Sequence, residues 1–262
     1  MEKLALISDV HSNIVALNAV IADIEHCGCK NILCCGDLVG YGPHPNEVID
    51  RVQQLDIPTV MGNYDEAVGF KLPACGCHIN NQKQKHLSNN SLKWTIWNTS
   101  AKSREYLRGL PESIEAAIGD KSILIVHSTL QSMTDYMYET DLEKLKHTLN
   151  DVEHHIYVYG HTHFPFIKSI EGKMVVNAGS VGRPKNCDNR ATYVVLEFDG
   201  YDVRGYIRKV LYDVEKVARE IEASELDPYF AEYIRNGGDV QEKCSGENTC
   251  VCILDPEQYG NK

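Results

Sequence analysis

The sequence predicts an α/β protein built as a four-layer α/β/β/α sandwich, with a helical insertion after the third strand. In residues 1–61, short apolar strands alternate with amphipathic helices, which indicates a parallel sheet with right-handed crossovers. Between residues 166 and 207, four β-rich runs separated by turn residues indicate a second, largely antiparallel sheet. Two sheets facing each other with helices outside give the four layers.

The first part of the chain repeats a unit of strand, loop and helix. Residues 4–8 form an apolar run, and Ser12 then offers an N-cap for a helix whose apolar residues recur through 14–24. Residues 31–35 predict the next strand, followed by a helix at 45–55 and a short strand at 59–61. Because parallel strands end at the same edge of a sheet, the polar loops after them are expected to meet.

The middle of the chain breaks this rhythm. Residues 66–100 are rich in Asn, Gln, Lys and Ser and contain Trp94 and Trp97, and we interpret them as a helical insertion that overhangs the site. Strand patterns resume at 122–126 and 155–159. The strands of the predicted second sheet are 166–170, 174–177, 192–198 and 203–207. Helices follow at 214–223 and 228–236. We therefore predict one domain at residues 1–236, with the insertion at 66–100, and a polar cysteine-containing tail at 237–262.

Size and charge limit the class of function. The 262 residues suffice for one large α/β domain, and the net charge of −11 argues against a protein that binds a nucleic-acid polymer along its backbone. No stretch approaches ~20 apolar residues, and the N-terminus lacks the pattern of a signal peptide. A cytoplasmic protein that does not span a membrane is expected, and its oligomeric state is left open, a homo-oligomer included.

The ten cysteines are expected to be free thiols, because no export signal accompanies them. Three pairs share the spacing Cys-x-Cys, at residues 27 and 29, 75 and 77, and 250 and 252. The alternatives for these pairs are ordinary free thiols, a redox couple or a zinc site made of thiolates.

Five short segments spread along the chain each end in a side chain that binds metals. They are Asp9-Val10-His11, Gly36-Asp37, Gly62-Asn63-Tyr64-Asp65, Val126-His127 and Gly160-His161-Thr162-His163. Together they supply seven ligands, enough for two metal ions: Asp9, His11, Asp37, Asn63, His127, His161 and His163. This mixture of oxygen and nitrogen without thiolate suits divalent or trivalent Mn, Fe, Zn, Co or Ni. Two such ions ~4 Å apart can clamp both oxygens of an in-line displacement and convert a bound water into hydroxide.

The ordered set resembles the motifs of the calcineurin-like metallophosphoesterase superfamily, which run Asp-x-His, Gly-Asp, Gly-Asn-His-Asp/Glu, His and Gly-His-x-His. Segments 8–13, 36–43 and 177–184 look like its small bacterial and archaeal phosphodiesterase branch, and the resemblance spans residues 3–210. It implies the four-layer sandwich and the hydrolysis of a phosphodiester or small nucleotide by a hydroxide that bridges two metals. By resemblance the first metal is held by Asp9, His11, Asp37 and His163, and the second by Asp37, Asn63, His127 and His161, with Asp37 as the bridge.

Tyr64 is the one departure from the motif set. It stands where the family has a histidine thought to protonate the leaving group or bind a phosphoryl oxygen. A phenol of pKa ~10 is a poorer proton donor at neutral pH than an imidazolium near ~6.5. Either Tyr64 weakens leaving-group protonation, which favours acidic leaving groups, or it fills space while another residue donates. The predicted catalytic set is Asp37, Asn63, Tyr64 and His127.

Substrate binding is predicted at Asn13 and Arg183. Asn13 and Asp65 stand beside ligands and are also candidates to orient a metal-bound imidazole. Arg183, Lys185 and Arg190 lie in or just after the loop of residues 177–184, where they could contact phosphate. The expected partner is a small phosphorylated substrate such as a nucleotide. Two alternatives stay open: a hydrolase of nucleotide phosphoanhydrides such as dinucleoside polyphosphates, and a catalytically inactive binding scaffold like the retromer subunit of the same superfamily.

Overall fold

The computed structural model describes residues 1–77, 81–200 and 202–239, which form two β-sheets with helices on both outer faces. The strands are β1 Glu2–Ile7, β2 Asn31–Cys34, β3 Ser113–Ile118, β4 Lys121–Val126, β5 Ile156–Tyr159, β6 Phe166–Ile170, β7 Lys173–Asn177, β8 Ala191–Phe198 and β9 Val203–Val210. The helices are α1 Ile14–His26, α2 Pro45–Gln54, α3 Asn63–Gly69, α4 Gln82–Asn98, α5 Ala101–Arg108, α6 Leu142–Asn150, α7 Val214–Glu222 and α8 Tyr229–Asn236.

The four-layer α/β/β/α prediction is confirmed, but the strands are distributed differently from expectation. One sheet has the order β2-β1-β8-β9 and the other the order β3-β4-β5-β7-β6. The predicted second sheet is therefore divided, because β6 and β7 join β4 and β5, whereas β8 pairs antiparallel with β1. Sheet membership depends on pairing between residues far apart in sequence, which the local apolar pattern does not specify.

Three elements were not predicted, namely β3, α5 and α6, and the strand expected at 59–61 is reduced to one parallel bridge between Cys34 and Thr59. β3 is an edge strand whose residues alternate between exposed and half-buried, so it lacks the apolar run that identified the inner strands. Short edge strands with charged residues give a weak sequence signal.

Alternate side chains of β1 show how the layers are built. Leu4 and Leu6 pack between the two sheets, together with Ile125 and Val158 of the second sheet. Ala5 and Ile7 point the other way and pack against α1 and α2. On the far side, α6 covers the outer face of β4, β5 and β7.

The segment predicted as an insertion contains α4, which packs against the loop that follows β2. Leu87 and Leu92 are buried, and Ser91 Oγ accepts a hydrogen bond of 2.9 Å from the backbone N–H of Tyr41. Its role as a cover over the site stays a prediction, as do the domain boundaries, since most of the tail at 237–262 lies outside the described residues.

The described residues contain no helix that is both long enough and apolar enough to cross a bilayer.

The cysteine prediction needs one correction. Six cysteines are free thiols, at positions 27, 29, 34, 35, 75 and 77, but Cys187 is disulfide-bonded, so the expectation of free thiols is wrong there. The pair at 250 and 252 lies outside the described residues. Within residues 1–77, 81–200 and 202–239, no group of three convergent metal-ligating side chains includes a cysteine.

Candidate metal centre

The predicted ligands come together at one rim, where β1, β2, β4 and β5 end. Backbone hydrogen bonds join the loops that follow these strands. Asp9 N donates to Gly36 O at 2.9 Å, and Gly160 N donates to His127 O at 3.0 Å. The loop after β7 joins them, because Gly182 N donates to Asp9 O at 3.0 Å.

Strained backbone conformations are concentrated at this rim. Five of the predicted ligands have positive φ: Asp9 (52°), His11 (47°), Asp37 (54°), His161 (62°) and His163 (66°). A non-glycine residue in this region costs ~1–3 kcal/mol and persists only where the surrounding structure enforces it. The surrounding structure therefore holds these residues in strained conformations that direct their side chains toward one another.

Close packing explains the glycine that precedes His161. A Cβ at Gly160 would collide with Ser8 Oγ and lie 2.5 Å from Asp9 Oδ2. Asp9 Oδ2 also accepts from the backbone N–H of His161 at 3.0 Å and from Ser8 Oγ at 2.5 Å. Only glycine lets the two loops approach closely enough for these contacts.

The first cluster contains Asp9, His11 and His163, all buried. Nε2 of His11 and Nε2 of His163 are 3.2 Å apart, and Asp9 Oδ1 is 3.1 Å from Nε2 of His163. Ligands ~2.0–2.1 Å from one metal ion have separations of about this size.

The second cluster contains Asp37, His127 and His161, with Asn63 beside them. Nε2 of His127 is 3.0 Å from Asn63 Oδ1, 3.2 Å from Nδ1 of His161 and 3.6 Å from Asp37 Oδ2. Asp37 Oδ2 is also 3.7 Å from Nε2 of His11, so this carboxylate lies between the two clusters.

The hydrogen bonds of the imidazoles fit them to a cation. Nδ1 of His11, His127 and His163 each faces a backbone carbonyl, of Val39, Cys35 and Arg183 respectively. A carbonyl only accepts, so Nδ1 carries the proton and Nε2 presents a lone pair to the cluster. Two lone pairs 3.2 Å apart repel unless a cation lies between them, and Asp9 Oδ1 and His161 Nε2 are buried without a hydrogen-bond partner.

The charges of the buried groups also favour a bound metal ion. Burial lowers the pKa of His11, His161 and His163, which keeps them in the neutral form that binds metals. Burial and the neighbouring charge of Asp9 raise the pKa of Asp37 well above its ordinary value. Two buried carboxylates among neutral imidazoles lack positive charge, which a divalent metal ion would supply.

Tyr64 is buried beside His11 of the first cluster. Its side chain is 1% exposed, and its hydroxyl is 2.9 Å from Ser88 Oγ of α4. Its ring packs on those of Tyr41 and His11, with centroids 4.6 and 5.7 Å away. Burial raises the pKa of the Tyr64 phenol further, which makes it a weaker acid still. This geometry supports the interpretation of Tyr64 as a space-filling residue.

The residues predicted to bind substrate are engaged within the protein. Asn13 is fully buried, caps α1 through Ala16 N at 3.0 Å and donates to Gly182 O at 3.2 Å, so its amide positions two loops. The guanidinium of Arg183 lies between two rings, 4.0 Å from the centroid of Tyr41 and 4.0 Å from that of Tyr233. Their role in substrate binding stays a prediction.

Asp65 has a structural role. Its carboxylate accepts from the backbone N–H groups of Leu38, Val39 and Gly62 at 2.9, 3.3 and 3.1 Å. It thus ties the Gly36-Asp37 loop to the start of α3, which carries Asn63.

An aromatic cluster that sequence reasoning missed borders the second group of ligands. The Tyr136 ring lies 4.4 Å from the His161 ring and 6.1 Å from the nearly parallel ring of Tyr138, which in turn contacts Phe164. Tyr138 is 39% exposed. The sequence feature that could have identified this cluster is the long stretch without regular structure after His127, since such loops at strand ends often carry function.

Lys185 reaches the same rim. Its ammonium lies 5.9 Å from the Tyr136 ring centroid and interacts electrostatically with Asp9 and Asp37. Burial and the Arg183 guanidinium lower the pKa of Lys185 to about 8. The charge of Lys185 thus acts on the ligand carboxylates, whereas Arg190 pairs with Asp188 at 2.7 Å.

Two cysteines lie directly behind Asn63. The sulfurs of Cys75 and Cys77 are 3.0 Å apart. The Asn63 Nδ2 amide donates to Cys75 O at 3.0 Å and to Cys77 Sγ at 3.2 Å. The sequence revealed the Cys-x-Cys spacing but not this position.

Comparison with known families is consistent with this geometry. A model of the calcineurin-like phosphoesterase superfamily domain matches residues 2–200. An uncharacterized protein of Methanocaldococcus jannaschii is 30% identical over 249 residues, which cover 87% of this chain and 96% of the relative.

Solved structures share the fold. A metallophosphoesterase from Sphaerobacter thermophilus superposes with a TM-score of 0.72 at 26% identity, over 90% of this chain and 99% of that one. A hypothetical protein from Pyrococcus horikoshii superposes with a TM-score of 0.79 at 22% identity, over 91% of this chain and 100% of its own.

Proposed function

Because this chain belongs to the calcineurin-like phosphoesterase superfamily, and is thus a metal-dependent phosphoesterase, we propose that it hydrolyses a small phosphodiester or nucleotide at a dinuclear centre. The observation that carries the proposal is the pair of buried ligand clusters with the Asp37 carboxylate between them. Six of the seven predicted ligands form the two clusters and Asn63 lies beside the second, which favours an enzyme over an inactive scaffold.

The protein's own residues hold this centre rigid. The carbonyls of Val39, Cys35 and Arg183 fix three imidazoles in the tautomer that leaves Nε2 free. When bound, the metal ions would act as Lewis acids on the phosphoryl group and lower the pKa of a water molecule. Lys185 adds a positive charge at the rim, where it can contact a non-bridging phosphate oxygen.

Metal content is the direct test. Protein reconstituted with Mn, Co or Zn and passed through a desalting column is expected to retain close to two ions per chain by elemental analysis. Asn63→Ala should reduce retention toward one ion, because it removes an oxygen from the second cluster only. Retention of no transition metal by wild-type protein would refute the dinuclear proposal.

A phosphoanhydride of a nucleotide is the second candidate substrate. A specific observation favours it: the Tyr64 hydroxyl is buried against Ser88, so it cannot readily protonate a strongly basic leaving group. A nucleotide phosphate is a weak base and leaves without that help. A hydrolysis screen with cyclic nucleotides, dinucleoside polyphosphates, mononucleotides and aryl phosphodiesters would separate the two candidates.

The aromatic cluster supports a nucleotide in either case. Tyr136 lies against His161, and Tyr138 lies beyond Tyr136 on the solvent side. Both rings are within the length of a nucleoside of the ligand clusters. Bases stack on exposed aromatic rings with ~1–3 kcal/mol per base.

Tyr138→Ala is therefore expected to raise KM for a nucleotide substrate about tenfold with little change in kcat, because the ring contributes binding and not chemistry. The rate with a small aryl phosphodiester should change far less. Tyr206→Ala, a truncation on the edge strand β9, is the control. An equal KM effect on both substrates would show that Tyr138 does not bind the base.

A further inference from the structure

We propose that Cys75 and Cys77 form an oxidation site, a dithiol that hydrogen peroxide converts into a disulfide. The disulfide weakens metal binding through its effect on Asn63. The metal consequence rests on the proposed function, whereas the sulfur chemistry does not.

The two sulfurs are already close to bonding distance. They lie 3.0 Å apart, and a disulfide bond is ~2.05 Å long, so closure needs a movement of about 1 Å. Gly76 between them has a φ of +74°, a conformation that glycine adopts without strain.

Solvent can reach this pair. Cys77 is half-buried and Gly76 is exposed, whereas Cys75 is 8% exposed behind them. A small oxidant can therefore enter from the Cys77 side, with Cys75 in position to form the second bond.

The chemistry balances with hydrogen peroxide as the oxidant. One thiol is oxidised to a sulfenic acid, and the peroxide O–O bond breaks with release of one water molecule. The second sulfur attacks the sulfenic sulfur, and the S–S bond forms as a second water leaves. Two thiols and one peroxide give one disulfide and two waters, and a dithiol reductant reverses the reaction.

Asn63 transmits the change. Its Nδ2 donates to Cys77 Sγ at 3.2 Å and to Cys75 O at 3.0 Å, while its Oδ1 faces His127 Nε2 at 3.0 Å. Closing the disulfide moves the sulfur acceptor and the backbone that orient this amide. Loss of such an orienting partner typically lowers metal affinity by ~10–100-fold.

The chain contains a matched internal control. Cys27-Gly28-Cys29 has the same sequence and the same glycine conformation, with a φ of +71° at Gly28. Within the described residues, its two sulfurs make no hydrogen bond to each other, and Cys27 Sγ instead lies 3.8 Å from the Tyr193 hydroxyl.

The first experiment is differential alkylation and peptide mapping of the full-length protein after titration with hydrogen peroxide. The peptide with Cys75 and Cys77 should lose two hydrogens at least tenfold faster than the peptide with Cys27 and Cys29, and dithiothreitol should restore it. Equal rates at the two pairs, or no intramolecular disulfide at Cys75 and Cys77, would overturn the proposal.

The second experiment measures the dissociation constant of Mn or Co for reduced and oxidised protein. Oxidation should weaken binding at one of the two sites by about tenfold, and Cys77→Ser should remove this response while Cys29→Ser keeps it. A disulfide that forms without any change in metal affinity would overturn the link to Asn63. Reduced protein that binds no metal would refute the proposed function and this link together, while the mapping result would still decide the oxidation site.

Discussion

Asp37→Asn is expected to lower the rate of phosphoester hydrolysis by about 10³-fold or more and to reduce the metal content of the purified protein. Asp37 Oδ2 lies 3.7 Å from Nε2 of His11 and 3.6 Å from Nε2 of His127, so it is the negative charge that both clusters share. Lewis-acid stabilisation by metals is worth several kcal/mol, and each ~1.4 kcal/mol is a factor of ten in rate.

The asparagine variant separates charge from folding. Asp37 Oδ1 accepts from Tyr64 N at 2.8 Å, and an amide oxygen can keep that hydrogen bond, so the melting temperature of the metal-free variant should stay near that of the wild type. Asp120→Asn, the same change at an exposed position beside β4, is the control and should leave rate and metal content unchanged. A folded Asp37→Asn protein with wild-type rate would refute the bridging role.

Tyr64→His is expected to raise the rate with simple alkyl phosphoesters by up to ~10²-fold, the lower end of the usual general-acid contribution, and to change aryl or anhydride substrates little. The ring at position 64 lies 5.7 Å from the His11 ring, so a histidine there would lie beside the first cluster. Its imidazolium could donate a proton to the leaving group, whereas the raised pKa of the Tyr64 phenol makes it a poorer donor. Rates with alkyl and aryl substrates that share one phosphoryl group test the selectivity.

Tyr64→Phe is the matched control for this prediction. It removes the hydroxyl that contacts Ser88 Oγ at 2.9 Å but keeps the ring packing, so hydrolysis should change little while the free energy of unfolding falls by about 1 kcal/mol. A large loss of activity in Tyr64→Phe would identify the hydroxyl as a catalytic donor. An equal effect of Tyr64→His on all leaving groups would instead assign position 64 to phosphoryl positioning.

The sequence by itself determined the fold class and the residues of the candidate centre. Asp9, Asp37, His127 and His161 each lie within three residues of the end of a strand, and strands that end at one sheet edge bring such residues together. The apolar runs of β1, β4 and β5 likewise have strong local signals, because both of their faces are buried.

Only the tertiary structure decided which residues support the centre. Three features depend on contacts between residues far apart in sequence. They are the assignment of β8 to the first sheet, the position of Tyr136 against His161 and the burial of Tyr64 under α4. The Cys75 and Cys77 pair shows the same limit: its spacing is visible in the sequence, but its contact with Asn63 depends on how the chain after α3 returns to the rim. Local patterns record which side chains are buried or turn-forming, whereas such contacts are fixed only when the whole chain packs.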